Sequence, residues 1–507
     1  MNSKFSLLPL VGLATLPAVI LAQQVKTPPN VIVILADDIG FGDLGWLGTK
    51  TIETPHVNRL GNEGIRFTNC HATSATSTPS RYGLLTGMYP WRRNDTGIAP
   101  GDAAMIIKPE QFTLADMFKA TGYATGAVGK WHLGLGDKAG KQDWNGEVTP
   151  GLKDIGFDYS FIMAATADRV PCVFIENGLA VNLDKNDPIE VSYTTPFPGE
   201  PTAVTNPELL RVYPSDGHNM AIVDGVPRIG YMRGGKSALW HDEDIADRIT
   251  DKAIDFIATN NEKPFFLYFG TNDIHVPRLP HARFAGKSGM GPRGDAILSF
   301  DYCVGRVMHA LNSLGIADNT IIILSSDNGP VLDDGYKDRA VELLGNHKPG
   351  GIYRGGKYSI FEAGTRVPCI VWWKKGIAKP AISNALVSQL DFFASLAELI
   401  GGDIPANTAT DTQNELKALL GKNKTGRSYL VEQNINNTLS VVCGDWKYIE
   451  PSKAARVNVS TNTELGNFPE IQLYNIKDNP EETVNMAKNH PGIVRKLARL
   501  LDQERKK

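Results

Sequence analysis

An α/β fold is the architecture this sequence predicts, and three observations predict it. Short apolar runs end abruptly at polar clusters, as strands buried on both faces of a parallel sheet do. Amphipathic helical stretches separate those runs, so strand and helix alternate along the chain. The chain is also able to bury a large core, with 507 residues, 42% of them hydrophobic and 21% charged.

Taken in order, residues 1–22 read as a secretory signal. Lys4 supplies the positive start, residues 7–21 form an apolar run broken by Pro9 and Pro17, and Ala22 is a small residue suited to cleavage. The run is too short to span a membrane, and no cysteine follows it to carry a lipid. A periplasmic or secreted protein, free of the membrane after cleavage, is expected. Strands are expected at residues 31–36 before Asp37, 123–128 before Lys130, 265–269 before Asn272 and 321–324 before Asp327. Thr113 can cap a helix whose Leu114, Met117 and Phe118 share a face, with Gly122 to end it. Further helical stripes run over residues 243–259 and 301–314. Residues 160–240, rich in Pro, Gly, Asn and Asp, read as a long loop insertion over the site. Near residue 405 the pattern changes. A main domain over 23–405 and a smaller α+β subdomain over 406–507 are expected, the latter with strands at 440–443, 446–449 and 471–474 and a closing helix at 493–501.

Charge and cysteine content exclude some functions. A net charge of −3 argues against a nucleic-acid binder, which needs a basic excess to neutralise phosphates. Five widely spaced cysteines without a CxxC pair form no zinc pattern. Any anion site must be local.

In open α/β sheets ligands gather at the carboxyl ends of strands, and the polar clusters all fall there. Asp37-Asp38 and Asp327-Asn328 together make a hard oxygen donor set suited to calcium rather than zinc. Lys130 and His132, two residues apart in an extended segment, would point the same way. His275 follows another strand. In the segment Ser77-Thr78-Pro79-Ser80-Arg81-Tyr82-Gly83-Leu84-Leu85-Thr86-Gly87, proline places Ser77 at a chain reversal before a helix, and Arg81 shares its face.

That segment resembles the signature of the type I sulfatases, Cys/Ser-x-Pro-Ser-Arg-x-x-x-Leu-Thr-Gly, with serine at the first position. Gly129-Lys130-Trp131-His132-Leu133-Gly134, the histidine of Asn272-Asp273-Ile274-His275-Val276-Pro277, and Gly355-Gly356-Lys357 with Gly364-Thr365-Arg366-Val367-Pro368 resemble further family motifs, in the family's order. So does Leu473-Tyr474-Asn475 with the run from Asp478 to Glu482 in the terminal subdomain. The resemblance implies an alkaline-phosphatase-like fold, a large mixed sheet flanked by helices, and hydrolysis of sulfate esters. It implies that Ser77 is oxidised to formylglycine by a radical maturating enzyme. It also implies that Asp37, Asp38, Asp327 and Asn328 hold Ca2+, that Arg81, Lys130 and Lys357 neutralise the sulfate oxygens, that His132 accepts a proton from the formylglycine hydrate, and that His275 protonates the leaving alcohol. Overall similarity to the galactosamine-6-sulfatase and arylsulfatase A branch points to a 6-O-sulfated galactose or N-acetylgalactosamine residue of a glycan. Asp168, Arg169 and His218, in the insertion, read either as sugar-binding groups or as surface loop residues. Arg366 reads as a tie to a nearby carboxylate. Two rivals remain: a phosphonate monoester hydrolase or phosphodiesterase of the same superfamily, and a sulfated-glycan binder whose Ser77 is never oxidised.

Overall fold

The computed structural model describes Met1, residues 28–47 and residues 51–507. The expected signal segment, apart from Met1, lies outside the described residues. Among the described residues no helix is long and apolar enough to cross a membrane.

A ten-stranded mixed sheet organises the molecule. Across it run Ala381–Ser383, Ile65–Phe67, Cys369–Trp372, Thr320–Ser326, Asn30–Ala36, Phe265–Gly270, Ala124–Lys130, Tyr159–Met163, Phe174–Glu176 and Leu179–Ala180. The five strands from Thr320–Ser326 to Tyr159–Met163 are mutually parallel; antiparallel pairings extend both sides, and the edge strand Ala381–Ser383 pairs parallel with Ile65–Phe67. Four of the parallel strands are buried at every residue, which is why they read as unbroken apolar runs rather than alternating ones.

The helices follow from local signals. Thr113 closes a capping box with Asp116 at the start of Leu114–Ala120. Ile245–Thr259 begins near its expected start. The helix expected from residue 301 begins ten residues earlier and runs Gly291–Ser313. Its first turns hold Gly291, Pro292, Gly294 and Asp295, residues that read as loop, yet Pro292 falls in the first turn, where proline is tolerated. The insertion also differs from the expected loop. Its first part supplies Tyr159–Met163, Phe174–Glu176 and Leu179–Ala180 to the main sheet, while the remainder carries only short strands and turns.

A second, antiparallel sheet of Leu430–Gln433, Leu439–Cys443, Trp446–Ile449 and Gln472–Asn475 packs against the closing helix Pro491–Lys506. It has its own apolar cluster, into which Tyr89, Ile360 and Phe361 from the larger part of the chain also insert.

Candidate active site

Strand register brings the site together. Ala36 pairs with Ser326 across two parallel strands, so the next residues, Asp37 and Asp327, leave the sheet side by side. The Asp37 amide donates to the Asp273 carbonyl at 3.1 Å, and the Ile274 amide donates to the Asp37 carbonyl at 2.7 Å, tying the third strand end to the first. Ala124–Lys130 adds Lys130 as its last residue.

Ser77 opens the helix Ser77–Thr86, every residue of which is buried. Gly87 ends it with φ 64°, and its amide returns to the Gly83 carbonyl. The Ser77 hydroxyl donates to Asp327 Oδ2 at 2.6 Å and accepts from Lys130 Nζ at 2.8 Å. Arg81, one turn on, donates to the same Asp327 oxygen through Nε at 3.1 Å and Nη2 at 2.8 Å, and through Nη1 to Tyr268 Oη and the Lys130 carbonyl. The shared helix face expected of Ser77 and Arg81 is therefore realised on one carboxylate.

The oxygen cluster lies beneath Ser77. Asn328 Nδ2 donates to Asp38 Oδ1 at 2.7 Å, the Asp38 amide faces Asp327 Oδ1 at 3.3 Å, and Asp37 Oδ2 is 2.6 Å from Lys130 Nζ. Asp37 Oδ1 is fully buried without a hydrogen-bond partner among the described residues. Burial, only partly offset by Lys130, pushes the Asp37 carboxyl up to about 8. Asp327, by contrast, is held well below the usual carboxylate range because Arg81 and Lys130 overcome its burial. Carboxylates of Asp37 and Asp38 with His275 offer ligand atoms within 4.8 Å of one another. Oxygen donors, one of them orphaned, fit a hard divalent cation.

Above Ser77 is a cavity of about 120 Å³. Seven of the expected residues line it: Ser77, His132, His275, Lys357, Asp168, Arg169 and His218. Arg81, Lys130 and the four candidate cation ligands stand behind that wall. Larger cavities exist, including one of about 640 Å³ between Ile245–Thr259 and Gly291–Ser313, but none of the strand-end residues reaches it.

Lys130 bonds Ser77 and His132 lines the cavity with it, though not for the reason expected. The strand ends at Lys130, and His132 has φ 59°, so a left-handed turn rather than an extended segment aims its ring. His132 Nε2 lies 2.9 Å from the Ala99 carbonyl, which can only accept; the N–H is therefore on Nε2 and Nδ1 presents a lone pair. That Nδ1 has no partner among the described residues, and burial together with Lys130 keeps the ring neutral. His275 donates from Nδ1 to the Val276 carbonyl at 2.7 Å, leaving Nε2 4.0 Å from Asp38 Oδ2. Burial and Lys357 hold its pKa down while Asp168, 3.9 Å away, works the other way. Asp168 binds His218 Nε2 at 2.8 Å and Arg169 Nη1 at 3.1 Å, so the insertion residues form one charged group on the wall. Burial opposes a charged His218, but the hydrogen bond and charge of Asp168, with the Asp216 carbonyl and Asp334, together outweigh it and raise its pKa.

Three lining residues carried no sequence signal: Ile98, Asp334 and Tyr358. Thr78, inside the Ser77 segment, was also unassigned; its hydroxyl donates to the His132 carbonyl at 3.0 Å and accepts from the Ala99 amide at 3.1 Å, fixing the turn that aims His132. Arg366 ties to Glu362 at 2.6 Å, as read.

The family model named Sulfatase matches residues 29–402. The chain belongs to the sulfatase family. This sulfatase is 57% identical, over 94% of its length and 93% of the relative's, to an N-acetylgalactosamine-6-O-sulfatase of Bacteroides thetaiotaomicron. It is 29% identical to human arylsulfatase A, over 94% of this chain and 87% of that one. Among solved structures, a protein from work on glycosaminoglycan metabolism in Bacteroides thetaiotaomicron superposes with a TM-score of 0.94 at 57% identity, covering 95% of this chain and all of that one. The chain is thus a sulfuric ester hydrolase, built on the fold expected from its motifs.

Proposed function

We propose that this sulfatase removes 6-O-sulfate from N-acetylgalactosamine or galactose residues of a sulfated glycan. The observation that carries this reading is the 57% identity to a named N-acetylgalactosamine-6-O-sulfatase along nearly the whole of both chains. A cavity combining Ser77, two histidines and Lys357 with the charged insertion group supports it.

In this reading Ser77 is oxidised to formylglycine by a radical maturating enzyme in the host, and the hydrated aldehyde supplies the attacking hydroxyl. Asp37, Asp38, Asp327 and Asn328 hold Ca2+, whose charge polarises a sulfate oxygen. Arg81 fixes Asp327 and Lys130 fixes the residue-77 oxygen. Lys357 binds sulfate from the cavity side. His132 Nδ1 takes the proton of the residue-77 hydroxyl when sulfate is expelled, and His275, once it has taken up a proton on Nε2 beside the negative charge of the bound sulfate ester, delivers that proton to the departing sugar oxygen, a poor leaving group without it. Asp168, Arg169 and His218 contact the sugar. The protein works in the periplasm or outside the cell.

Mass spectrometry of the residue-77 peptide from a native or maturase-coexpressing host, with desulfation assays on defined sulfated disaccharides, tests the proposal. Loss of 6-O-sulfate by protein carrying formylglycine is expected. Activity with Ser77 unmodified overturns the mechanism. Faster cleavage of the phosphate than of the sulfate ester of one alcohol favours the phosphonate hydrolase or phosphodiesterase rival.

A further inference from the structure

One carboxylate on the cavity wall belongs neither to the cation cluster nor to the insertion group. Asp334 Oδ2 accepts from Lys357 Nζ at 2.8 Å, and Oδ1 accepts from Tyr358 Oη at 3.1 Å. Its side chain keeps 12% exposure, and the residue lines the cavity. The Lys357 ammonium also donates to Asp38 Oδ2 at 2.8 Å. An ammonium has three N–H donors, so these two bonds leave one for the cavity. Asp38 is a candidate cation ligand whose charge is shared with that site. Asp334 is not, and although its charge is also felt by Arg169, His218 and His275, Lys357 is the cation it bonds directly. A lysine whose side chain is only 4% exposed needs such a partner if it is to stay charged and stay in place.

The insertion holds Asp334 there. Ser215 Oγ donates to Asp333 Oδ1 at 2.6 Å, the Ser215 amide donates to the Gly335 carbonyl at 3.0 Å, and Pro214 bridges to Tyr336. The His218 ring packs 4.7 Å from the Tyr336 ring. Gly335, at φ 102°, lies so close that an added Cβ would fall 2.0 Å from His218 Nδ1. His218 in turn binds Asp168. A continuous set of contacts therefore runs from the sugar-facing group to the sulfate-facing lysine.

We propose that Asp334 is the positioning residue that aims the Lys357 ammonium into the cavity, and that residues 214–218 of the insertion set its place, so sugar recognition and the sulfate grip are one unit. This rests on Lys357 being a sulfate-binding group. Two readouts test it: calorimetric binding of inorganic sulfate in the presence of calcium, and a double-mutant cycle in kcat/KM on matured enzyme, with thermal melts to confirm folding. Asp334→Asn should weaken sulfate binding and kcat/KM by about tenfold, Asp334→Glu should restore part of the loss, and Asp334→Asn should add little in a Lys357→Ala background. Ser215→Ala, which leaves Asp334 intact, should weaken sulfate binding by about threefold and serves if Asp334→Asn does not fold. Wild-type sulfate binding in Asp334→Asn, or effects that multiply with those of Lys357→Ala, overturn the role of Asp334. Wild-type binding in Ser215→Ala overturns the part assigned to the insertion. If Lys357→Ala itself binds sulfate normally, the reading of Lys357 has failed instead.

Discussion

His132 shows how much of a residue's chemistry depends on one hydrogen bond. With Nε2–H committed to the Ala99 carbonyl, only Nδ1 can act on Ser77, and burial keeps it an acceptor. His132→Ala should lower kcat on a sulfated disaccharide by about 100-fold with a smaller change in KM, because its proposed role is to accept a proton in turnover rather than to bind substrate. Ser77→Ala should abolish turnover in steady-state assays while the fold survives, since Ser77 offers its neighbours one hydroxyl and almost no apolar area. Lys130, His132, His275 and the paired acids were legible as candidate site residues because their motifs end or directly follow strands, whereas Lys357, expected at a strand end, lies in the loop between Thr320–Ser326 and the short helix Glu362–Thr365 and was legible from its motif alone. Asp334 and Tyr358 were not, since an acid in a glycine-flanked loop and a tyrosine after a lysine are common surface patterns. The clasp of residues 214–218 on the Asp333–Tyr336 loop holds the Asp334 segment against the wall, while Tyr358 is placed separately by its amide, which donates to the Ala75 carbonyl at 2.7 Å.

At the scale of elements, close approach of backbones decides where the site residues fall. Gly129 has φ 97°, and an added Cβ would lie 1.9 Å from the Gly270 carbonyl oxygen on the neighbouring strand. Gly129→Ala should therefore force the strand ends apart and displace Lys130. A loss of roughly 2 kcal/mol or more in denaturant unfolding is expected, together with a fall in activity. The buried Asp43–Arg293 pair, at 2.8 and 2.7 Å, anchors the loop after Asp38 to the helix Gly291–Ser313 in a comparable way. That contact also explains why the helix starts early. Its first turns are buried by what they hold rather than by an apolar stripe, so periodicity alone placed the start at residue 301.

At the scale of the molecule, the two sheets are joined by buried charge. Lys447, on the second sheet, reaches Glu362 at 2.9 Å and Glu432 at 3.2 Å, with Glu482 at 4.0 Å, all fully buried. Arg366 adds a second cation on Glu362. Two permanent cations face three acids, and His71 Nδ1 lies 2.7 Å from Glu432 as a further partner. Burial, with Lys447 opposing, raises the Glu482 carboxyl from its ordinary 4.5 to about 8, so it stays protonated at neutral pH. Between those two values the folded state binds a proton that the unfolded chain has released, and stability falls as pH rises. The melting temperature should decline from about pH 5 to about pH 8, and Glu482→Gln should flatten that decline. A slope unchanged by the substitution would point to another group. Lys447→Ala should cost about 3 to 5 kcal/mol in unfolding free energy by stranding its carboxylates.

Residue order by itself determined the fold class, the strand-end positions of the paired acids, Lys130 and His275, and membership in the sulfatase family, because apolar runs and short motifs are local properties. Tertiary structure alone decided that Arg81 and Lys130 stand behind Ser77 rather than on the cavity wall, that the insertion feeds three strands to the main sheet, and that Asp168, His218, Asp334 and Lys357 share one wall. Those outcomes depend on contacts between segments tens to hundreds of residues apart, such as Ser77 with Asp327. No local pattern encodes a contact of that range; it arises when the register of parallel strands brings their carboxyl ends to one edge.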